Sequence, residues 1–167
     1  HDHCAPTLRP KELFRRRGAK AAGFWRRKNP VMSLAAPAPR PSDGAAFRLG
    51  IAAARFNGKF VDGLLARVTG GLRAAGVPAG GITVVRVPGS HEVPWAAQAL
   101  AAGGRFDCVL GLGVLIAGDT SHHEMVGSSV AHALQQVALA TGVPVINGVL
   151  VVNTAAQARA RCTGKIN

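Results

Sequence analysis

The run Cys108–Ile116, CVLGLGVLI, is apolar from end to end and is followed by Gly118-Asp119-Thr120-Ser121-His122, where a helical pattern sets in. A short unbroken apolar run that meets a glycine, then small polar residues, then an amphipathic stretch reads as a strand buried on both faces that turns into a helix. Such a strand needs helices above and below it, which commits the chain to a parallel α/β architecture. Extended to Ala117 the run is still only about half of what a bilayer-crossing helix requires.

The same alternation recurs along the chain. Phe47 to Ala54 reads as a strand, and Val61, Leu64, Leu65, Val68 and Leu72 recur at helical spacing until Gly76-Val77-Pro78 stops them. Ile82 to Val87 is β-branched and strand-like. His91 to Ala102 is helical, with Pro94 tolerated in the first turn. Val126, Val130, Leu134, Val137 and Thr141 mark a helix face that ends at Gly142 and Pro144. Val143 to Val152 is a fourth strand, and Thr154 to Arg161 begins a fourth helix. Four strand–helix units in succession predict a three-layer α/β/α sandwich around a four-stranded parallel sheet.

With 167 residues, 48% of them hydrophobic, the chain can bury one ordinary core. Its three cysteines, at 4, 108 and 162, form neither a disulfide framework nor a CxxC pair. Cys108, inside the apolar run, reads as a buried reduced thiol, which points to a reducing compartment. The net charge of +12 is unevenly placed, because residues 1–31 carry nine Lys and Arg against two acids. Residues 1–46 show no sustained period, carry Arg15-Arg16-Arg17 and Arg26-Arg27-Lys28, and close on the proline-rich Ala35–Pro41. They read as a disordered basic arm and linker ahead of a domain spanning 47–167. The chain opens on His1, so Met32 reads as a candidate initiator and residues 1–31 as upstream sequence or a leader. The rival reading is an organelle transit peptide, Arg- and Ala-rich and poor in acids. A nucleic-acid-binding arm is the third reading, weakened by sparse aromatics and the absence of a zinc or RNA-binding motif.

In parallel sheets ligands bind outside the carboxyl ends of the strands. Three loops close strands there: Arg55-Phe56-Asn57, Pro88-Gly89-Ser90-His91-Glu92, and Gly118 to His122. Topology alone places them on one edge. Phe56, in a polar turn, either offers a flat face to a planar ring or folds back on the core. Gly89 lets the backbone approach closely, and Ser90, His91 and Glu92 offer donors and an acceptor suited to a polyol. Glu92 also suits a helix first turn. Gly118-Asp119-Thr120 stands where free N–H groups favour a phosphate, or where Asp119, Thr120 or Ser121 simply caps the helix. A phosphate fits only if the Asp119 carboxylate points away. His122 is the candidate proton carrier, and His123 reads as surface or interface. Consecutive His122, His123 and Glu124 face different directions and make a poor metal set, as does His1-Asp2-His3-Cys4. Gly111-Leu112-Gly113 lacks a third glycine and lies inside the strand, so it is no dinucleotide fingerprint.

These motifs resemble the lumazine synthase (6,7-dimethyl-8-ribityllumazine synthase) family. The resemblance runs from about Leu49 to Asn167 through Val87–Pro94, Gly118–His122, Pro144–Leu150 and Gln157–Arg161. It implies a flavodoxin-like fold and a transferase of riboflavin biosynthesis. That enzyme condenses 5-amino-6-(D-ribitylamino)uracil with 3,4-dihydroxy-2-butanone 4-phosphate, without metal or organic cofactor. By position, Phe56 would stack on the pyrimidine, and Ser90, His91 and Glu92 would hold the ribityl side. Val114, Leu115 and Ile116 would present backbone groups to the uracil edge, and Asn147 would line the same pocket. Asp119, Thr120 and Arg161 would bind phosphate, and His122 would move protons. The Asn147 and Arg161 positions come from a neighbouring subunit, which implies a homo-oligomer, a pentamer or an icosahedral shell of pentamers. It implies a cytoplasmic enzyme, or a plastid or other organellar one if the arm is a transit peptide, with neither nucleic acid nor membrane as partner. The chain departs from the family at Ala117, where Arg or Lys is usual, at His91 and His123, where aromatics are common, and at Asn147, where Phe is frequent. It also ends at Lys165-Ile166-Asn167, where the family continues into a further helix. The competing reading is a flavin- or lumazine-binding module of the same fold without turnover.

Overall fold

The computed structural model describes residues 43–164. The basic arm with Met32, and the last residues on which the reading of an absent final helix rests, lie outside them. Four strands, β1 (Leu49–Ala54), β2 (Ile82–Val87), β3 (Cys108–Ile116) and β4 (Val145–Val152), alternate with four helices. These are α1 (Gly58–Ala74), α2 (Val93–Ala102), α3 (His122–Thr141) and α4 (Ala155–Cys162).

The sheet is wholly parallel in the order β2-β1-β3-β4. β1 pairs with β2 from Leu49↔Ile82 to Ala54↔Val87 and with β3 from Leu49↔Cys108 to Ala53↔Leu112. β3 pairs with β4 from Val109↔Val145 to Ile116↔Val152. From β1 the chain steps outward to β2, then crosses back over β1 to reach β3. The strand order therefore reverses between β1 and β3, and a crevice opens where their carboxyl ends diverge.

Side chains alternate across the sheet and divide the core into two. Ala52 and Ala54 of β1 and Val109 of β3 join Val93, Ala97, Val130 and Leu134 of α2 and α3 on one face. Ile51 and Ala53, with Leu112 and Val114, join Val61 of α1 and Ala158 and Cys162 of α4 on the other. This is the expected three-layer sandwich. The two edge strands are less covered than a run of β-branched residues suggests, with Val84, Val85, Ile146 and Val151 exposed.

Gly111 and Gly113 of β3 point toward the α2 and α3 side, and their purpose is close approach. A Cβ on Gly111 would stand 2.8 Å from Val93 Cγ1 and 3.1 Å from Leu134 Cδ1, and one on Gly113 would overlap Ser90 Oγ. The pair that fails as a dinucleotide motif thus lets two helices and the Ser90 turn lie flat on the sheet. Gly111→Ala should overpack this layer by about 1–3 kcal/mol. Chemical denaturation is the check, and an unchanged midpoint would show that the layer yields without cost.

Local chemistry sets the element ends. α3 stops at Gly142, whose φ of 71° ends the helix in the left-handed conformation. At the start of α4, Thr154 Oγ1 accepts from the Gln157 amide at 3.2 Å, while Gln157 Oε1 accepts from the Asn153 amide at 2.8 Å. The helix expected from His91 starts instead as a 3-10 turn, Ser90–Glu92, and becomes α-helical at Val93. Ahead of β1, the Gly44 amide donates to the Ala75 carbonyl at 2.6 Å. Cys108 is half-buried rather than buried, Cys162 is buried, and both are free thiols. Burial pushes both thiols up from their ordinary range.

Candidate functional site

The strand register that stacks β1 beside β2 continues past their ends. The Arg55 amide donates to the Val87 carbonyl at 2.8 Å and the Phe56 amide to the Pro88 carbonyl at 2.9 Å. This holds the first two loops side by side and leaves Phe56 69% exposed. Asn57 then turns the chain with φ of 57°, the one non-glycine residue at positive φ among those described. Its Nδ2 donates to the Val114 carbonyl at 2.8 Å, tying the β1 loop to the end of β3. Asn tolerates this backbone where most side chains do not. Asn57→Ala should cost about 2 kcal/mol, from left-handed strain and the lost hydrogen bond together. Asn57→Gly removes only the side-chain bond, so thermal unfolding of the pair separates the two causes. Equal stability of the two variants would exclude the strain.

In the second loop Glu92 Oε2 accepts from the Gly89 amide at 2.8 Å. Glu92 thus closes its own turn, the bland alternative that the sequence left open. Ser90 is buried in the slot left by Gly113. His91 stands exposed at the mouth.

The third loop leaves β3 with Ala117 still paired to the Val152 carbonyl at 2.9 Å. No side chain at Ser121 caps α3, and Thr120 Oγ1 meets the His122 amide only at 3.4 Å. The positive end of a 20-residue helix therefore opens on this loop. His122 is exposed, whereas the His123 side chain is 11% exposed, with Nδ1 3.4 Å from the Thr120 carbonyl and Nε2 4.0 Å from Glu124.

These loops enclose a cleft of about 400 Å³ at the point where strand order reverses. It brings together Phe56, Ser90, His91, Leu115, Ile116, Thr120 and His122 from the sequence-derived set. It adds Asn57, Gly89, Gly118, His123 and Val126. His123 was read as surface or interface, and only its burial behind Thr120 shows that it turns inward. The Val126 spacing belongs to the apolar face of α3, a signal that marks core and cleft floor alike.

Glu92, Val114, Asp119, Asn147 and Arg161 do not line it. Val114 is fully buried, and its carbonyl is occupied by Asn57. Asp119 is exposed and stands outside the cleft. Asn147 lies on edge strand β4 with Oδ1 accepting from the Val149 amide at 2.9 Å. Arg161 sits on α4, packed with α1 on the far face, its carbonyl accepting from Arg67 at 3.2 Å. Among the described residues no Lys or Arg lines the cleft.

Among the described residues no group of three or more His, Cys, Asp or Glu is placed to hold a metal, and no helix is long and apolar enough to cross a membrane. Compared with known proteins, the family model described as 6,7-dimethyl-8-ribityllumazine synthase matches residues 46–167. The protein of that name from Pyricularia oryzae is 39% identical over 166 residues, covering 78% of this chain and 83% of the relative. Its counterpart in Xanthomonas campestris pv. campestris is 43% identical over 117 residues, covering 70% and 76%. That of Halorhodospira halophila is 42% identical over 118 residues, covering 71% and 76%.

Proposed function

We propose a reaction for this chain from one premise: it belongs to the 6,7-dimethyl-8-ribityllumazine synthase family. As a member it is an enzyme, a transferase of riboflavin biosynthesis. Its reaction is the condensation of 5-amino-6-(D-ribitylamino)uracil with 3,4-dihydroxy-2-butanone 4-phosphate, releasing phosphate and water. The observation that carries this reading is the convergence of three strand-end loops on one cleft holding an exposed aromatic ring, a buried hydroxyl, a helix N-terminus and His122.

Each part has a role in that chemistry. Phe56 offers its face to the pyrimidine. Ser90 and His91 hold the ribityl hydroxyls, and Glu92 supports them by shaping the turn. Leu115 and Ile116 present backbone groups to the uracil edge, while Val114 keeps that edge rigid through Asn57. The Thr120 hydroxyl and the free amides ahead of α3 receive the phosphate, with the Asp119 carboxylate turned out. His122 then gives a proton as the carbinolamine loses water to form the imine. It accepts one from carbon as the phosphate leaves. A leaving phosphate needs charge stabilisation, which the helix end supplies in a partly enclosed site.

Asn147 and Arg161 complete the site of a neighbouring subunit, which accounts for their place away from their own cleft. Exposed Trp95, Met125, Leu139, Ile146 and Val151 supply apolar surface for such an assembly. A pentamer, or a shell of pentamers, is the arrangement proposed, with a bidentate Arg161 on the phosphate.

Mixing the chain with both substrates and following lumazine absorbance tests the reading, with sedimentation run on the same sample. Product from an assembly of five chains, or a multiple of five, is expected. Folded, assembled protein that binds lumazine and makes none would identify a binding module instead.

A further inference from the structure

Among the described residues the cleft is lined by three imidazoles and by no fixed cation. His91 reaches it from the 3-10 turn after β2, and His122 and His123 from the first turn of α3. No described Lys or Arg stands in its wall, and Ala117 beside it carries no charge. All three share one cleft of about 400 Å³, so each imidazolium acts on whatever anion the cleft holds.

The other charged groups around it do not substitute. Arg55 and Lys59 flank the β1 loop and are exposed outside the cleft. Asp119 is exposed on the third loop, Glu124 is exposed on α3 with Oε1 4.0 Å from His123 Nε2, and Glu92 is engaged with the Gly89 amide. An oxyanion seated among the three favours the charged form of each imidazole. Binding the anion then draws protons into the cleft, and by linkage acid tightens the binding.

We propose that His91 and His123, with His122, form a titratable cation cluster that gives this chain a pH-dependent affinity for the phosphate-bearing substrate and for released phosphate. The proposal rests on the synthase reading for the identity of the anion. It makes His91 and His123 specificity residues for the charged end of the substrate, a task beyond holding a polyol or packing at an interface. An Arg161 contributed by a neighbour would hold the anion equally at all pH values of interest, so it does not mimic the effect.

Inorganic sulfate is the probe, because unlike phosphate it does not itself titrate near neutrality. Its dissociation constant is measured by calorimetry on the assembled full chain between pH 8 and 6, in several buffers so that proton uptake is counted. Tightening of roughly tenfold or more is expected, with more than one proton taken up per sulfate. In the double variant His91→Phe with His123→Phe one imidazole remains, so uptake falls to one proton or fewer and the pH profile flattens. Single variants His91→Gln and His123→Gln, each lowering uptake by part of a proton, serve if the double variant does not assemble. A parent that binds no sulfate at pH 6, that takes up one proton or fewer, or that matches its variants overturns the proposal. Turnover of the two organic substrates by the same sample separates this from failure of the synthase reading. An active enzyme with a flat sulfate profile retains the reaction and loses the cluster.

Discussion

His122→Ala is expected to lower kcat by about 10²–10⁴-fold, the usual worth of a placed general acid–base. The imidazole is exposed at the first residue of α3. Folding and assembly should therefore survive, and the loss belongs to the chemical step. At pH 8 the KM values should change little, so kcat and kcat/KM fall together. His122→Gln keeps a hydrogen-bonding group without a transferable proton and should be as slow as Ala. A kcat within threefold of the parent, in a variant of unchanged assembly, would remove His122 from the proton transfers and leave the helix end as the main catalytic device. A variant that recovers when small imidazoles are added would strengthen the assignment.

Leu134→Ala is expected to destabilise the protein by about 3 kcal/mol, within the roughly 2–5 kcal/mol of buried leucine truncations. Leu134 is 1% exposed and sits in the core cluster that joins α2 and α3 to the sheet. A chain of this length should lose on the order of 10 °C in its unfolding midpoint. The position also offers an internal check. A methyl at residue 111 would meet Leu134 Cδ1 at 3.1 Å, so the space vacated by Leu134→Ala partly accommodates Gly111→Ala. The double variant should cost less than the two singles combined, by about 0.5–1.5 kcal/mol. Val93 Cγ1 at 2.8 Å from the same point keeps the relief incomplete. Strict additivity would mean that Leu134 and Gly111 do not share the layer that the geometry gives them.

Hydrophobic period and punctuation made most of the fold legible. Ile82–Val87 and Cys108–Ile116 are bounded in the structure where their apolar runs are bounded in the sequence. The start of α3 at His122 was legible as well, from the glycine and small polar residues ahead of it, although the apolar face of the helix begins only at Val126. The 3-10 opening of the second helix was hidden. It depends on Glu92 reaching back to the Gly89 amide, a choice of rotamer.

The sequence by itself determined the class of fold, the four strand–helix units and the edge on which the three loops meet. Those follow from chain periodicity and from the rule that parallel strands all end on one side. Only the tertiary structure decided which side chains share the cleft. It turned His123 inward beside His91 and His122, closed Val114 behind Asn57, and left Asn147 and Arg161 away from their own cleft. The reason is that strand order and side-chain direction depend on packing between residues far apart in the chain. A linear pattern records which residues are apolar or titratable, whereas their meeting is fixed by β1 lying between β2 and β3.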